Sequence, residues 1–394
     1  MLPSYFEFHN PVKILSGHQA LENIPYELSL MKSKRPLLIT DQGVRKAGLI
    51  DVFLGAAKSS ALESVSIFSD VPPDSSNRVV NTIAEDFREN RCDSIIAVGG
   101  GSPIDTAKGV NILVSHEAND LMAFEGVDRL ENPLMPLTVV PTTAGTGSEA
   151  TLVAVIYNEE QKVKMEFTSN YLVPDLAVLD PRMTLTMPPR VTAATGMDAL
   201  SHAVEAYTCL QKNPASDAYA FAAIKLIREH LTAAVIKGKD EKARLGMATA
   251  ALMAGIAFSN SMVGAVHALG HAAGAAAGIH HGTAMSIFLP HCLEFNMEKI
   301  SDFAAELLLP LAGPEVYAAT PERSRPEKFV AEIRQLKEEL NILCGLPRTL
   351  FEAGVEEHMF DRIAKGALDD GAMLLNPVDM THADAMAVLK KALR

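Results

Sequence analysis

Apolar positions in the first half of the chain fall into short runs, most of them closed by a turn former, with helical repeats between them. Residues 37–40 end at Asp41, 95–98 at Gly99, 137–140 at Pro141 and 177–179 at Asp180; 65–68 is a further run. Segments such as 79–89 repeat their apolar positions at the helical period. Strands alternating with helices predict a parallel sheet covered on both faces. The pattern changes at Met187-Pro188-Pro189. Beyond it, Ala-, Leu- and Met-rich stretches at 191–209, 215–229, 244–257 and 326–340 keep the helical period, and strand patterns stop. The expected fold is an α/β domain with a Rossmann-like parallel sheet over residues 1–186, followed by an all-helical domain over residues 187–394.

Composition narrows the class. The 394 residues carry a net charge of −13, which argues against a nonspecific nucleic-acid surface. Hydrophobic content of 48% and charged content of 21% describe a globular chain able to bury sizeable cores. Cys92, Cys209, Cys292 and Cys344 show no paired spacing and read as reduced thiols. The opening MLPSYFEFHN lacks a basic segment followed by an apolar one, so the cytoplasm is the expected location.

The chemistry concentrates in the second half. Asp198 and His202 are four residues apart, as are His267 and His271, so each pair shares a helix face. His280, His281 and His291 follow closely. No Asp, Glu, Lys or Arg occurs from 245 to 293, so these histidines are the main ionisable groups of an apolar stretch. Burying them without partners would be costly, and a metal would satisfy several at once. A carboxylate plus several imidazoles suits a divalent transition metal such as iron or zinc. The plainer reading is a set of separately satisfied core histidines. Residues 262–279 approach a membrane-spanning length, but His267 and His271 in their middle favour a helix buried in a soluble domain.

A second signal is DSIIAVGGGSPIDTAK (93–108). An apolar strand runs into Gly99, Gly100 and Gly101, and Ser102 is placed to cap a helix, with Pro103 at its first position and Asp105 three residues after the cap. Strand, glycine turn and helix N-terminus form an anion site suited to a dinucleotide phosphate. The GxGxxG fingerprint fails, because Ile104 stands at its third glycine. Corroboration comes from VVPTTAGTGSE (139–149), which offers Thr142, Thr143, Thr146 and Ser148 after another strand. Asp41, closing an early strand, can accept hydrogen bonds from a ribose and would repel a 2′-phosphate, which favours NAD over NADP. A turn or capping role is the alternative for Asp41.

Together GGGSPIDTAK, PTTAGTGSE, ATGMDALSHAVEAY, VHALGHAAG and HHGTAMSIFLPH resemble the iron-containing (group III) alcohol dehydrogenase family. CGLPRTLFEAGV and LLNPVDMTHADAMAVL extend the resemblance over nearly the whole chain. It implies a dehydroquinate synthase-like architecture: a dinucleotide domain, then a helical domain. It implies interconversion of a primary alcohol or diol and its aldehyde with NAD(H). The metal ligands it implies are Asp198, His202, His267 and His281, with Fe²⁺ expected and Zn²⁺ compatible with the same donors. His271 matches a histidine near nicotinamide and substrate that is not a ligand; the spacing of the histidines does not separate the two roles. Lys164 matches a cofactor-contacting lysine, and Phe258 matches a position that lines the substrate pocket. Val153 stands where some diol-oxidising members carry asparagine, which implies less polar substrates. The N-terminal SYFEFHNPVKILSG is similar to an edge segment that often joins two subunits, so a homodimer or higher homo-oligomer is expected. Beyond a small alcohol or aldehyde, no nucleic acid or membrane partner is expected. The rival readings are a zinc-dependent polyol dehydrogenase of the same superfamily, a metal-dependent hydrolase and a non-catalytic NAD or metal binder.

Overall fold

The computed structural model describes residues 3–58 and 64–394. The chain forms two compact units, residues 9–187 and residues 188–394 together with 1–8.

Among the described residues the first unit holds nine strands: β1 (Lys13–Ser16), β2 (Pro36–Ile39), β3 (Ser66–Phe68), β4 (Ser94–Gly99), β5 (Gly126–Val127), β6 (Leu137–Pro141), β7 (Val153–Asn158), β8 (Val163–Thr168) and β9 (Leu176–Leu179). Its helices are α1 (Ile24–Leu30), α2 (Gln42–Lys46), α3 (Leu49–Ala56), α4 (Asn77–Glu89) and α5 (Gly101–Ser115). Six strands form a parallel sheet in the order β1-β9-β6-β4-β2-β3. Its central strands are buried at every position and mostly apolar, because both faces are covered. Leu37, Ile39, Ile95, Ala97 and Val139 pack on one face with Val80, Ile83 and Ile104. Leu38, Ile96, Val98, Val140 and Val178 pack on the other with Ile24, Leu28 and Phe53. The chain leaves β2 for β3 on one side and returns to β4 on the other. Such a reversal opens a ligand crevice at the carboxyl ends of the strands.

A smaller sheet, β5-β8-β7, adds an antiparallel hairpin that the expectation of a parallel sheet alone did not include. Ala154, Ile156, Met165 and Phe167 of the hairpin face the core. β8 reads Val-Lys-Met-Glu-Phe-Thr, a period-two alternation that marks a half-buried strand.

The second unit contains no strand among the described residues. Its helices are α6 (Pro189–Thr208), α7 (Pro214–Ile236), α8 (Glu241–Ser259), α9 (Ala265–Ala277), α10 (His281–Ala312), α11 (Pro314–Ala319), α12 (Arg325–Cys344), α13 (Phe360–Leu368) and α14 (His382–Ala392). α6 is buried from Thr192 to Thr208, which makes it the axis of the unit. α7 starts on a capping box, in which Asn213 and Ser216 each satisfy the other's backbone N–H. Among the described residues, no helix is long and apolar enough to cross a membrane.

Candidate metal centre and nucleotide loops

Three helices of the second unit bring four side chains together. α6 supplies Asp198 and His202 one turn apart, α9 supplies His267, and α10 supplies His281 at its first position. One ligand atom from each lies within 4.8 Å of every other. Asp198 Oδ1 is 3.9 Å from His202 Nδ1 and 3.2 Å from His281 Nε2. Asp198, His202 and His267 are buried. Asp198 Oδ1, His202 Nδ1 and His267 Nε2 have no hydrogen-bond partner. A buried polar atom left unpaired costs roughly 1–3 kcal/mol. Three of them converging on one point is the arrangement a cation would relieve, so these residues fit a bound divalent metal.

The electrostatics agree with that fit. Burial pushes the imidazole of His202 down to about 3, even with the Asp198 carboxylate beside it. Burial also holds His267 well below the usual histidine range. Both rings are therefore neutral at neutral pH and keep the lone pair a metal needs. Burial alone would raise the Asp198 carboxyl, but His202 and His281 hold it below the usual carboxylate range.

The ring of His267 is oriented by a residue that sequence reasoning missed. Glu205, on α6, accepts from the Val266 backbone N–H at 2.8 Å through Oε1 and from His267 Nδ1 through Oε2. Asn376 accepts from the Ala265 N–H at 3.1 Å and exchanges hydrogen bonds with Asn296. Two side chains from elsewhere thus cap the start of α9. A Cβ on Gly264 would stand 2.9 Å from Asn376 Oδ1 and 3.1 Å from Glu205 Oε1, so only glycine leaves this cap intact. Spacing along α6 does not point to Glu205, because its partners Val266 and His267 lie on another helix.

His271 lies outside the four-residue group. Its Nδ1 meets Asp370 Oδ2 at 2.9 Å, and Asp370 is a second residue the sequence reading did not single out. Although partly buried, the Asp370 carboxyl is held below its ordinary range by the hydrogen bond from His271. Phe258, on α8, stacks on the His202 ring with centroids 4.3 Å apart. His280 precedes α10 and makes no side-chain cap.

In the first unit, the loops after β4 and β6 are neighbours. Thr142 N–H donates to the Gly99 carbonyl at 2.9 Å, and Thr143 and Thr146 pack against Gly100 and Gly101. The cap expected at Ser102 is not observed. α5 begins at Gly101 with Gly100 as its N-cap, so Ser102 and Pro103 lie inside the first turn. Proline is tolerated there because the first-turn N–H groups have no intrahelical partner. Asp105 makes no capping box either. Its oxygens accept from Ser148 Oγ at 2.7 Å and the Val155 N–H at 3.1 Å, which ties the helix to the next loop and to β7. Lys108, fully buried, donates to the Thr151 and Val153 carbonyls, each at 2.8 Å. Asp41 follows β2 and caps α2 by accepting from the Val44 N–H at 2.9 Å. Lys164, on β8, pairs with Asp74 at 3.1 Å, both groups being exposed.

A parallel α/β unit followed by a helical unit with an Asp–His₃ group, three of its members buried, is the architecture of a metal-dependent dehydrogenase. The chain matches the family "Iron-containing alcohol dehydrogenase" over residues 11–181 and "Fe-containing alcohol dehydrogenase family, C-terminal" over residues 192–393. It is 37% identical over 393 residues to a 1,3-propanediol dehydrogenase of Klebsiella pneumoniae, covering 98% of each chain. It is 36% identical to an NAD-dependent methanol dehydrogenase of Bacillus methanolicus, covering 98% of this chain and 99% of the relative. A crystal structure of 1,3-propanediol oxidoreductase superposes with a TM-score of 0.94 at 36% identity, covering 99% of this chain and 100% of that one. The chain belongs to the iron-containing alcohol dehydrogenase family.

Proposed function

We propose that this chain interconverts a primary alcohol, or a diol, and the corresponding aldehyde, using NAD(H) and a divalent metal held by Asp198, His202, His267 and His281. The observation that carries this reading is the convergence of three buried, unpartnered donor atoms within that group. Bound there, the metal supplies Lewis acidity toward the substrate oxygen. Fe²⁺ is the expected ion, and Zn²⁺ suits the same donors.

The chain's own residues do the rest. Glu205 fixes the His267 ring so that Nε2 presents its lone pair. Asp370 accepts from Nδ1 of His271, which leaves proton exchange with the alcohol to Nε2 of that ring. The loop at Gly99, Gly100, Gly101 and Ser102 receives the dinucleotide phosphates at the N-terminus of α5, flanked by Thr142, Thr143 and Thr146. Asp105 and Ser148 hold the two loops together through their mutual hydrogen bond. Lys164 offers a positive charge to the cofactor. Asp41 still has an oxygen to offer a ribose and repels a 2′-phosphate, so NAD is preferred over NADP. Phe258 offers an apolar surface to the substrate, and a valine rather than an amide side chain at position 153 favours less polar alcohols. The exposed N-terminal Tyr5 and Phe6, just ahead of edge strand β1, support a homodimer or higher homo-oligomer, in keeping with a cytoplasmic enzyme.

Substitution of His267 by alanine separates this function from its rivals. The variant loses metal and turnover while NADH binding, followed by fluorescence titration, is retained. Full activity in metal-free His267→Ala protein would remove the metal assignment.

A further inference from the structure

The helical unit holds a cavity of about 510 Å³, lined mainly by charged residues and sharing none of them with the metal group. That is the size of small-molecule sites. Its lining is cationic in a chain whose net charge is −13. Arg334, Lys337, Arg348 and Lys391 face it, together with His291. The carboxylates nearby are already engaged. Arg334 pairs with Glu294 at 2.6 Å, and Arg348 holds Glu338 at 3.0 Å and Glu352 at 2.6 Å. Lys337 and Lys391 have no ion pair among the described residues.

Two of these groups are buried and under-satisfied. Lys337 is 5% exposed, and its ammonium donates one hydrogen bond, to the Arg348 carbonyl at 3.0 Å. Two of its N–H groups therefore remain. His291 is 8% exposed, and its Nδ1 has no hydrogen-bond partner. The nearest carboxylate oxygen, on Glu294, is 3.9 Å away, beyond hydrogen-bond range. A buried ammonium without a counterion and an orphan imidazole on one cavity wall are costly unless an anion completes them. Burial, with Arg334 beside it, pulls the Lys337 ammonium down to about 8, so it remains mostly charged at neutral pH.

We propose that this cavity binds a small phosphate-type oxyanion, held by Lys337, Lys391 and the imidazole of His291. A phosphoryl group presents three acceptor oxygens, which matches donors arriving from α10, α12 and α14. Phe351, 69% exposed, also lines the cavity and offers an apolar surface to the organic part of a phosphate ester.

Titration calorimetry on the full-length, metal-loaded protein tests this. NADH is kept saturating so that the glycine loop is filled. Inorganic phosphate and a simple phosphate monoester are the probes, and acetate at matched ionic strength is the control. One saturable site is expected, at least tenfold tighter for phosphate than for acetate. Lys391→Ala, an exposed change on the last turn of α14, weakens it about fivefold without altering aldehyde turnover measured in phosphate-free buffer. Lys337→Met weakens it at least tenfold. A monoester that binds more tightly than inorganic phosphate identifies an organic phosphate as the occupant; equal affinities identify inorganic phosphate. Absence of saturable phosphate binding, or binding that Lys391→Ala leaves unchanged, overturns the proposal, and neither result depends on Lys337→Met folding.

Discussion

At the scale of single residues, Glu205 does two things with one carboxylate: it caps α9 at Val266 and orients the ring of His267. Both bonds need an acceptor, so the acid has a chemical reason to be there although burial pushes its carboxyl up to about 7. Glu205→Gln separates the two roles. The amide oxygen can still cap Val266, but the NH₂ group then faces His267 Nδ1. That forces the ring proton to Nε2, the atom meant for the metal. Metal affinity, measured by chelator competition, should fall about 10- to 100-fold while the fold is retained, the usual consequence of losing a metal-bound histidine's outer partner. Unchanged metal affinity would mean that the His267 ring is set by packing alone.

At the scale of elements, the first turn of α10 must lie against α6 for His281 to reach Asp198. Gly282 permits this: a Cβ there would collide with the backbone carbonyl of Ala194. Gly282→Ala should therefore cost about 1–3 kcal/mol, as overpacking does, and should weaken metal binding as His281 is displaced. Urea unfolding and metal titration of the variant check both effects, and a variant unchanged in both would contradict this account of the contact. Elements also show what was legible beforehand. The strands of the main sheet and the long helices follow from unbroken apolar runs and helical periodicity, because those patterns report burial directly. The start of α5 was misplaced because Ser102-Pro103 has the chemistry of a cap, whereas Gly100 occupies that position. The β7–β8 hairpin is not among the expected elements, although β8 alternates at period two. Glu205 and Asp370 were not singled out as site residues, because their partners come from distant segments and spacing along one helix cannot reveal them. The grouping of Asp198, His202, His267 and His281 apart from His271 came from the family resemblance; two equal i, i+4 spacings could not supply it.

For the whole molecule, buried neutral histidines tie stability to pH. Burial holds His291 down to about 3 in the folded protein, against an ordinary value of about 6.5 in the unfolded chain. Above about pH 6.5 neither state takes the proton, and the contribution is fully present. As pH falls toward 3 the unfolded chain gains a proton that the folded site refuses, so stability is lost at about 1.4 kcal/mol per pH unit. In His291→Leu that component disappears. Unfolding curves between pH 7 and pH 4 should therefore show a shallower decline for the variant than for the parent, by about that slope, and parallel declines would contradict the assignment. The central claim, a metal-dependent dehydrogenase, is tested most directly by NADH consumption. Metal-free protein is reconstituted anaerobically with Fe²⁺ or Zn²⁺ and given a panel of short aldehydes, with NADPH run in parallel. The account predicts turnover only with metal, preference for NADH as Asp41 requires, and preference for alkyl over hydroxylated aldehydes as Val153 implies. Tight NADH binding with no turnover for any aldehyde or metal would contradict it and leave a non-catalytic binder.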